Sequence, residues 1–351
     1  MFDGFFEGKR ILLTGDTGFK GAWLALWLAR LGAVVGGYAL ESPTEPSLYV
    51  LAGVEQDVRR LGGDVRDLHA LTAAVSAFAP DIVIHMAAQS LVRPSYEDPA
   101  GTFETNIMGT VHLLESVRRS PGAEAVLIVT SDKCYANDEL GRPFVESDPM
   151  GGHDPYSASK GCAELATESY TRSFFFAGRT SVASVRAGNV IGGGDFARDR
   201  LIPDLVRAAT SGTRARIRNP RAVRPWQHVL DLLTGYLLLV KGLCEKGRAL
   251  QGGWNFGPAK DEVHSVDEVA RQFCAGWGPD VACETDAWAA PHEAGCLRLD
   301  PARAARELGW APRLAFREGL AWTLAWYKAA SSGQDPRRLT LGQIERYENL
   351  P

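Results

Sequence analysis

The sequence predicts an α/β fold, a doubly wound parallel sheet followed by a smaller C-terminal part, and three observations carry that expectation. Short β-branched runs alternate with longer amphipathic ones up to about Asn189, the first run ends in a glycine-rich turn, and the alternation stops at Gly192-Gly193-Gly194-Asp195. Strands that alternate with helices pair in parallel, because each crossover helix covers a sheet face. A length of 351 residues with 45% hydrophobic content is enough for one large buried core or two modest ones.

Taken in order, residues 10–14, 34–39, 82–85, 125–130 and 181–186 read as buried strands, each an aliphatic run too short for a helix. Residues 18–31, 68–78 and 100–119 place apolar side chains at helical spacing and read as helices between them. Beyond Asn189 come basic, proline-containing segments. Residues 229–244 stand out there as a buried helix, interrupted by Asp231 and Lys241 and too short to span a bilayer. Residues 1–190 are thus expected to form the sheet domain, with 225–256 returning to it. Residues 191–224 and 257–351 are expected to form the smaller part, sharing one cleft with the first.

A formal net charge of -4 gives no reason to expect a nucleic acid or a membrane as partner. Six cysteines, Cys134, Cys162, Cys244, Cys274, Cys283 and Cys296, are scattered without Cys-x-x-Cys spacing. Reduced thiols in a cytoplasm are expected, with no metal site and no disulfide framework. Met1 to Glu7 is acidic and lacks the apolar core of a signal peptide.

The first strand ends in Thr14-Gly15-Asp16-Thr17-Gly18-Phe19-Lys20-Gly21 and a helix follows at once. Glycines there permit a tight turn and a close approach of backbone to a pyrophosphate, while the helix start offers unpaired N–H groups. The sheet is therefore expected to be Rossmann-like. An acidic residue that would hold the adenosine ribose is missing from Val34-Val35-Gly36-Gly37-Tyr38-Ala39-Leu40, with Glu41 arriving late. No Arg or Lys lies nearby in sequence to hold a 2′-phosphate, which favours NAD over NADP.

Further on, Asp154-Pro155-Tyr156-Ser157-Ala158-Ser159-Lys160 has a helix cap and a first-position proline. Tyr156 and Lys160 then share one helix face a turn apart. An ammonium beside a phenol favours phenolate, so Tyr156 can serve as a base. Ser131, closing a strand, is followed by Asp132 and Lys133. Asp132 can supply an acid, or merely cap a turn.

These motifs, in this order, resemble the extended short-chain dehydrogenase/reductase family, and the resemblance runs from Thr14 to Trp310. It implies that Gly15, Thr17, Gly18, Phe19 and Gly21 hold the cofactor pyrophosphate. Asp64 and Val65, in Gly62-Gly63-Asp64-Val65-Arg66-Asp67, would meet the adenine. Ala87, Ala88 and Gln89 would lie beneath ribose and pyrophosphate, braced by Asn106, and Tyr156 and Lys160 would also touch the cofactor. Ser131 would hydrogen-bond the reacting hydroxyl.

Nucleotide-sugar 4,6-dehydratases carry Asp-Glu after that serine, and Asp132-Lys133 departs from this toward one branch, the CDP-glucose 4,6-dehydratases. The branch implies conversion of CDP-D-glucose to CDP-4-keto-6-deoxy-D-glucose by internal hydride transfer through NAD. It also implies substrate contacts from Arg186, Asn189, Arg200, Arg224, Trp226, His228 and His292, with Trp226 either stacking on a base or belonging to the core. Lys133 would take the C5 proton or stabilise the enolate as a cation. Two rivals stand beside this reading: a 4-epimerase or other hexose dehydratase on the same scaffold, and a non-catalytic cofactor-binding protein. A homodimer built on the helices around residues 100–119 and 155–177 is implied by the same family.

Overall fold

The computed structural model describes residues 1–278, 281, 283–285 and 294–351. Its centre is a seven-stranded parallel sheet among the described residues. The strands are β1 (Arg10–Thr14), β2 (Val34–Tyr38), β3 (Val58–Arg60), β4 (Ile82–His85), β5 (Ala125–Val129), β6 (Ser181–Ala187) and β7 (Gly252–Phe256). Their spatial order is β7-β6-β5-β4-β1-β2-β3. The direction of winding reverses between β1 and β4, so helices leave on opposite faces there and a crevice opens at the carboxyl ends.

Both faces are covered, which is why the strands read as unbroken apolar runs. Leu12, Val83, Val126 and Ile128 pack one face against Leu71, Val75, Phe78, Leu113 and Leu114. Ile11, Leu13, Ile84 and Leu127 pack the other against Trp23, Trp27, Leu230, Leu233 and Leu237. The helices fall where their spacing puts them: Phe19–Arg30, Leu68–Phe78 and Val229–Lys246. The 100–119 stretch is less regular, running from Pro99–Phe103 through a π turn at Glu104–Met108 into Gly109–Arg119. Two strands of the sheet are not evident from pattern. β3 has three residues, two of them exposed arginines, and β7 begins with two glycines.

Beyond β6 the chain makes short two-stranded pairs that stand over the crevice. Val190–Ile191 pairs with Gln227–His228, Val223–Arg224 with His264–Ser265, and Ala215–Ile217 with Cys283–Thr285.

One buried polar cluster ties the helix Pro155–Tyr170 to the sheet. Glu164 accepts hydrogen bonds from Thr130 just past β5, from Ser184 at 2.6 Å and from Arg186 at 2.8 Å, the latter two on β6. Arg186 also donates to the Tyr135 hydroxyl at 2.8 Å and to the Glu146 carbonyl. This corrects the expectation that Arg186 meets substrate. Its position on β6 sends the guanidinium under the helix, where every observed contact is structural, and it is absent from the cleft wall. Removing one partner of a buried pair strands the other charge. Glu164→Ala should therefore cost about 3–5 kcal/mol of stability, read as a lower urea midpoint with an unchanged slope, and Glu164→Gln should cost less because it keeps an acceptor.

Candidate active site

The cleft begins at the turn after β1. Gly15 has φ +75, and a Cβ there would come within 2.7 Å of the Ala87 nitrogen. A Cβ on Gly21 would lie 2.1 Å from the Gly15 carbonyl oxygen. These two glycines let the turn, the helix start and the segment after β4 meet. Gly18 caps the helix with no side-chain bond, leaving first-turn N–H groups for an anion. The floor is held by Thr14, whose hydroxyl pairs with His85 Nδ1 at 2.8 Å and accepts from the Met86 and Ala87 N–H groups at 3.2 Å. Burial holds His85 down to about 3, so it is neutral.

Gly15, Thr17, Gly18, Phe19, Gly21, Asp64, Val65, Ala87, Ala88 and Gln89 all line this end of a cleft of about 880 Å³. Asn106 does not. It sits in the π turn and brackets Gln89, accepting from its N–H at 2.9 Å and donating to its carbonyl at 2.9 Å, with a further bond to Ser159. Its part is to brace. The donor set and the glycine cradle fit a dinucleotide.

The adenosine end differs from expectation. β3 lies beside β2 and brings Arg60 into an ion pair with Glu41, so a cation does stand there although none is near in sequence. Asp16 is buried behind the turn, against Gly37, where a Cβ would meet its Oδ2 at 2.3 Å. Burial pushes its carboxyl up to about 6.

At the centre, Ser131 caps the short turn Asp132–Cys134 and donates to Asp132 Oδ1 at 2.9 Å. Asp132 is buried, its Oδ2 has no hydrogen-bond partner, and burial raises its pKa against the opposing pull of Lys133 and Arg224. Gly188 makes room for it, since a Cβ there would meet Oδ2 at 3.0 Å. Lys133 is half-buried in the cleft wall. Tyr156 is also buried, and here the expected lowering of the phenol is not observed. Burial pushes it up to about 12, opposed by a hydrogen bond with Ser131, while Lys160 donates to the Val129 carbonyl at 3.2 Å. Burial brings Lys160 down to about 8. With the ammonium engaged by a carbonyl, desolvation of the phenol wins.

Among the expected substrate residues, Asn189, Arg200, Arg224 and Trp226 line the cleft. Arg200 is braced by Asp195 at 3.0 Å and Ser90 at 3.1 Å. Arg224 donates to the Val223 carbonyl at 2.9 Å, and Trp226 bonds the His264 carbonyl at 3.2 Å. His228 does not reach the cleft. It is fully buried edge-on to Trp23 and Trp322 and accepts from the Leu230 N–H, because the strand Gln227–His228 turns it inward to cap the next helix. His292 lies outside the described residues.

Lys20 was not singled out by sequence reasoning. It lines the cleft at the second position of the first helix, and among the described residues it has no hydrogen bond or ion pair. Burial lowers its pKa to about 7, helped by Arg200 and Lys160 and opposed by Asp132 and Asp195. A cation inside the glycine motif was the available signal.

With this geometry in hand, comparison with known proteins is specific. The family model described as GDP-mannose 4,6 dehydratase matches residues 12–323. The chain is 47% identical to a CDP-glucose 4,6-dehydratase of Salmonella typhimurium over 98% of this chain and 97% of that protein. It is 30% identical to a dTDP-glucose 4,6-dehydratase of Mycolicibacterium smegmatis, covering 95% and 97%. A dTDP-glucose 4,6-dehydratase of Streptomyces venezuelae, solved with NAD bound, superposes with a TM-score of 0.78 at 26% identity, covering 93% and 99%.

A partnerless lysine beside an anion cradle predicts charge-dependent binding. Lys20→Met should weaken NAD about tenfold, or about 1.4 kcal/mol, in a calorimetric titration. The ammonium is lost as pH rises through about 7, so affinity in the parent should fall between pH 6 and pH 8, and this slope should be absent in Lys20→Met.

Proposed function

The chain belongs to the GDP-mannose 4,6-dehydratase family, and from that premise we propose that it is an NAD-dependent lyase that converts CDP-D-glucose to CDP-4-keto-6-deoxy-D-glucose. The observation that carries this reading is Asp132, a buried carboxyl biased toward its protonated form beside Ser131, with one oxygen left without a partner. Elimination of water needs an acid at the leaving hydroxyl, and epimerisation at C4 does not. The 47% identical relative supports the choice of nucleotide and hexose.

Gly15, Thr17, Gly18, Phe19, Gly21 and Lys20 would hold the pyrophosphate of the cofactor. Asp64 and Val65 would meet its adenine, and Ala87, Ala88 and Gln89 its ribose. NAD, when bound, supplies a hydride acceptor at C4 of the sugar and a hydride donor at C6. Tyr156 takes the proton of the 4-hydroxyl, which Ser131 orients. The phenol lies near 12 in this state, so added positive charge is needed to bring it toward neutrality, and a Lys160 ammonium turned from the Val129 carbonyl toward the phenol would supply it. Asp132 donates a proton to the departing 6-hydroxyl. Lys133 takes the C5 proton or steadies the enolate as a cation. Arg200 and Arg224 face the diphosphate of the sugar nucleotide, and guanidinium groups suit that geometry.

We further propose that residues 1–190 with 225–256 hold the cofactor, while 191–224 and 257–351 cover the substrate. The functional unit is a homodimer in the cytoplasm. Exposed Met108, Leu165, Phe174 and Phe176, on or just beyond the two helical stretches concerned, supply apolar surface for it. Among the described residues no helix is long and apolar enough to cross a membrane.

Isotopes test the reaction directly. Substrate deuterated at C4, incubated in ordinary water, should give product carrying deuterium at C6, and heavy water should place solvent deuterium at C5. Label that stays at C4 with the 6-hydroxyl retained overturns the reading. Asp132→Asn should still reduce the cofactor while water loss slows by about 10²–10⁴-fold. On a panel of nucleotide glucoses, kcat/KM should be much higher for CDP-glucose than for dTDP-glucose.

A further inference from the structure

Cys274 stands in the last turn of the helix Val266–Trp277, and Cys283 opens the strand Cys283–Thr285. Their sulfurs are 3.0 Å apart although the residues are nine positions apart in sequence. Packing makes this meeting. Cys283 takes its register opposite Ala215 in the parallel pair with Ala215–Ile217. Cys274, Trp277, Val281 and Cys283 all pack against the main core, and Trp277 stacks on Phe273. Ala215, Arg216 and Ile217 are also part of the cleft wall. The sulfur pair therefore joins a core helix to a strand whose partner borders the cleft.

We propose that Cys274 and Cys283 form a reversible thiol–disulfide switch that staples the cleft-side strand pair to the helix Val266–Trp277. The two sulfurs already face each other at 3.0 Å, and a disulfide bond is about 2.05 Å long. The oxidant is a small-molecule disulfide. The Cys274 thiolate attacks one of its sulfurs, the S–S bond breaks, and the released thiolate takes up a proton. Cys283 then loses its proton and displaces the second small thiol, so two protein thiols are oxidised and one disulfide is reduced to two thiols. Cys283 is the later of the two to react, because burial and the neighbouring Cys274 thiol raise its pKa, and the contribution of Cys274 is relieved once that sulfur is in the mixed disulfide. Reversible disulfides of this kind fit a reducing compartment, where they act as sensors rather than as frameworks. The inference stands apart from the reading of the reaction, because neither thiol is part of the catalytic cluster.

The test uses the full chain in a Cys162→Ser background, which removes the exposed competing thiol. After incubation with glutathione disulfide and blocking of remaining thiols, peptide mapping should find Cys274 joined to Cys283, with two thiols lost and both restored by dithiothreitol. The oxidised protein should melt at a higher temperature than the reduced protein, and that difference should vanish in Cys274→Ser. Persistent glutathione adducts without the intramolecular bond, a first disulfide between other cysteines, or equal melting temperatures would each overturn the proposal.

Discussion

The arrangement of Ser131, Asp132, Tyr156 and Lys160 depends on Glu164. It is buried on the helix that carries Tyr156 and Lys160, and its oxygens accept from Thr130, Ser184 and Arg186. Thr130 directly precedes Ser131 and Asp132. A single carboxylate thus ties the helix that carries Tyr156 and Lys160 to the strand end that carries Ser131 and Asp132. A buried charge is a costly way to join two elements and is tolerated only when fully bonded. Here the bonding is nearly complete, and Tyr135 and Glu146 occupy the other side of the guanidinium.

Burial, more than pairwise charge, decides protonation across the cleft. Tyr156 and Asp132 are pushed up, and Lys160 and Lys20 are brought down, each with desolvation as the leading cause. All four shifts favour neutral forms, as expected where water is excluded. For Asp132 the direction suits an acid. For Tyr156 it opposes a base, so the site in this state is biased toward donating protons, and phenolate requires added positive charge beside the ring.

Close backbone approach is the second constraint. Gly15, Gly21 and Gly188 each stand where a Cβ would collide with backbone or with a side chain. The first two bring turn, helix and β4 loop together, and the third admits Asp132 and Pro225 to one corner. The Asn106 bracket on Gln89 works in the same region and depends on the wider turn of a π segment, a local irregularity often found at functional sites.

The sequence by itself determined the parallel sheet, most of its strands and the principal helices, because hydrophobic period and turn chemistry are local properties of the chain. It also placed the glycine turn between the first strand and helix and set Tyr156 and Lys160 one turn apart on a helix, while Ser131 and Asp132 were marked by their resemblance to the family. It did not reveal β3 and β7, whose short, polar or glycine-bearing sequences become strands only by pairing with a neighbour. Arg186 and His228 sat in promising motifs, yet which face of a strand or corner a side chain takes is decided by what packs there, and both were drawn inward. The pairing of Arg60 with Glu41, the contact of Cys274 with Cys283 and the direction of the Tyr156 shift were likewise settled by tertiary structure. Each is a consequence of distance and burial, and neither quantity is carried by residue order alone.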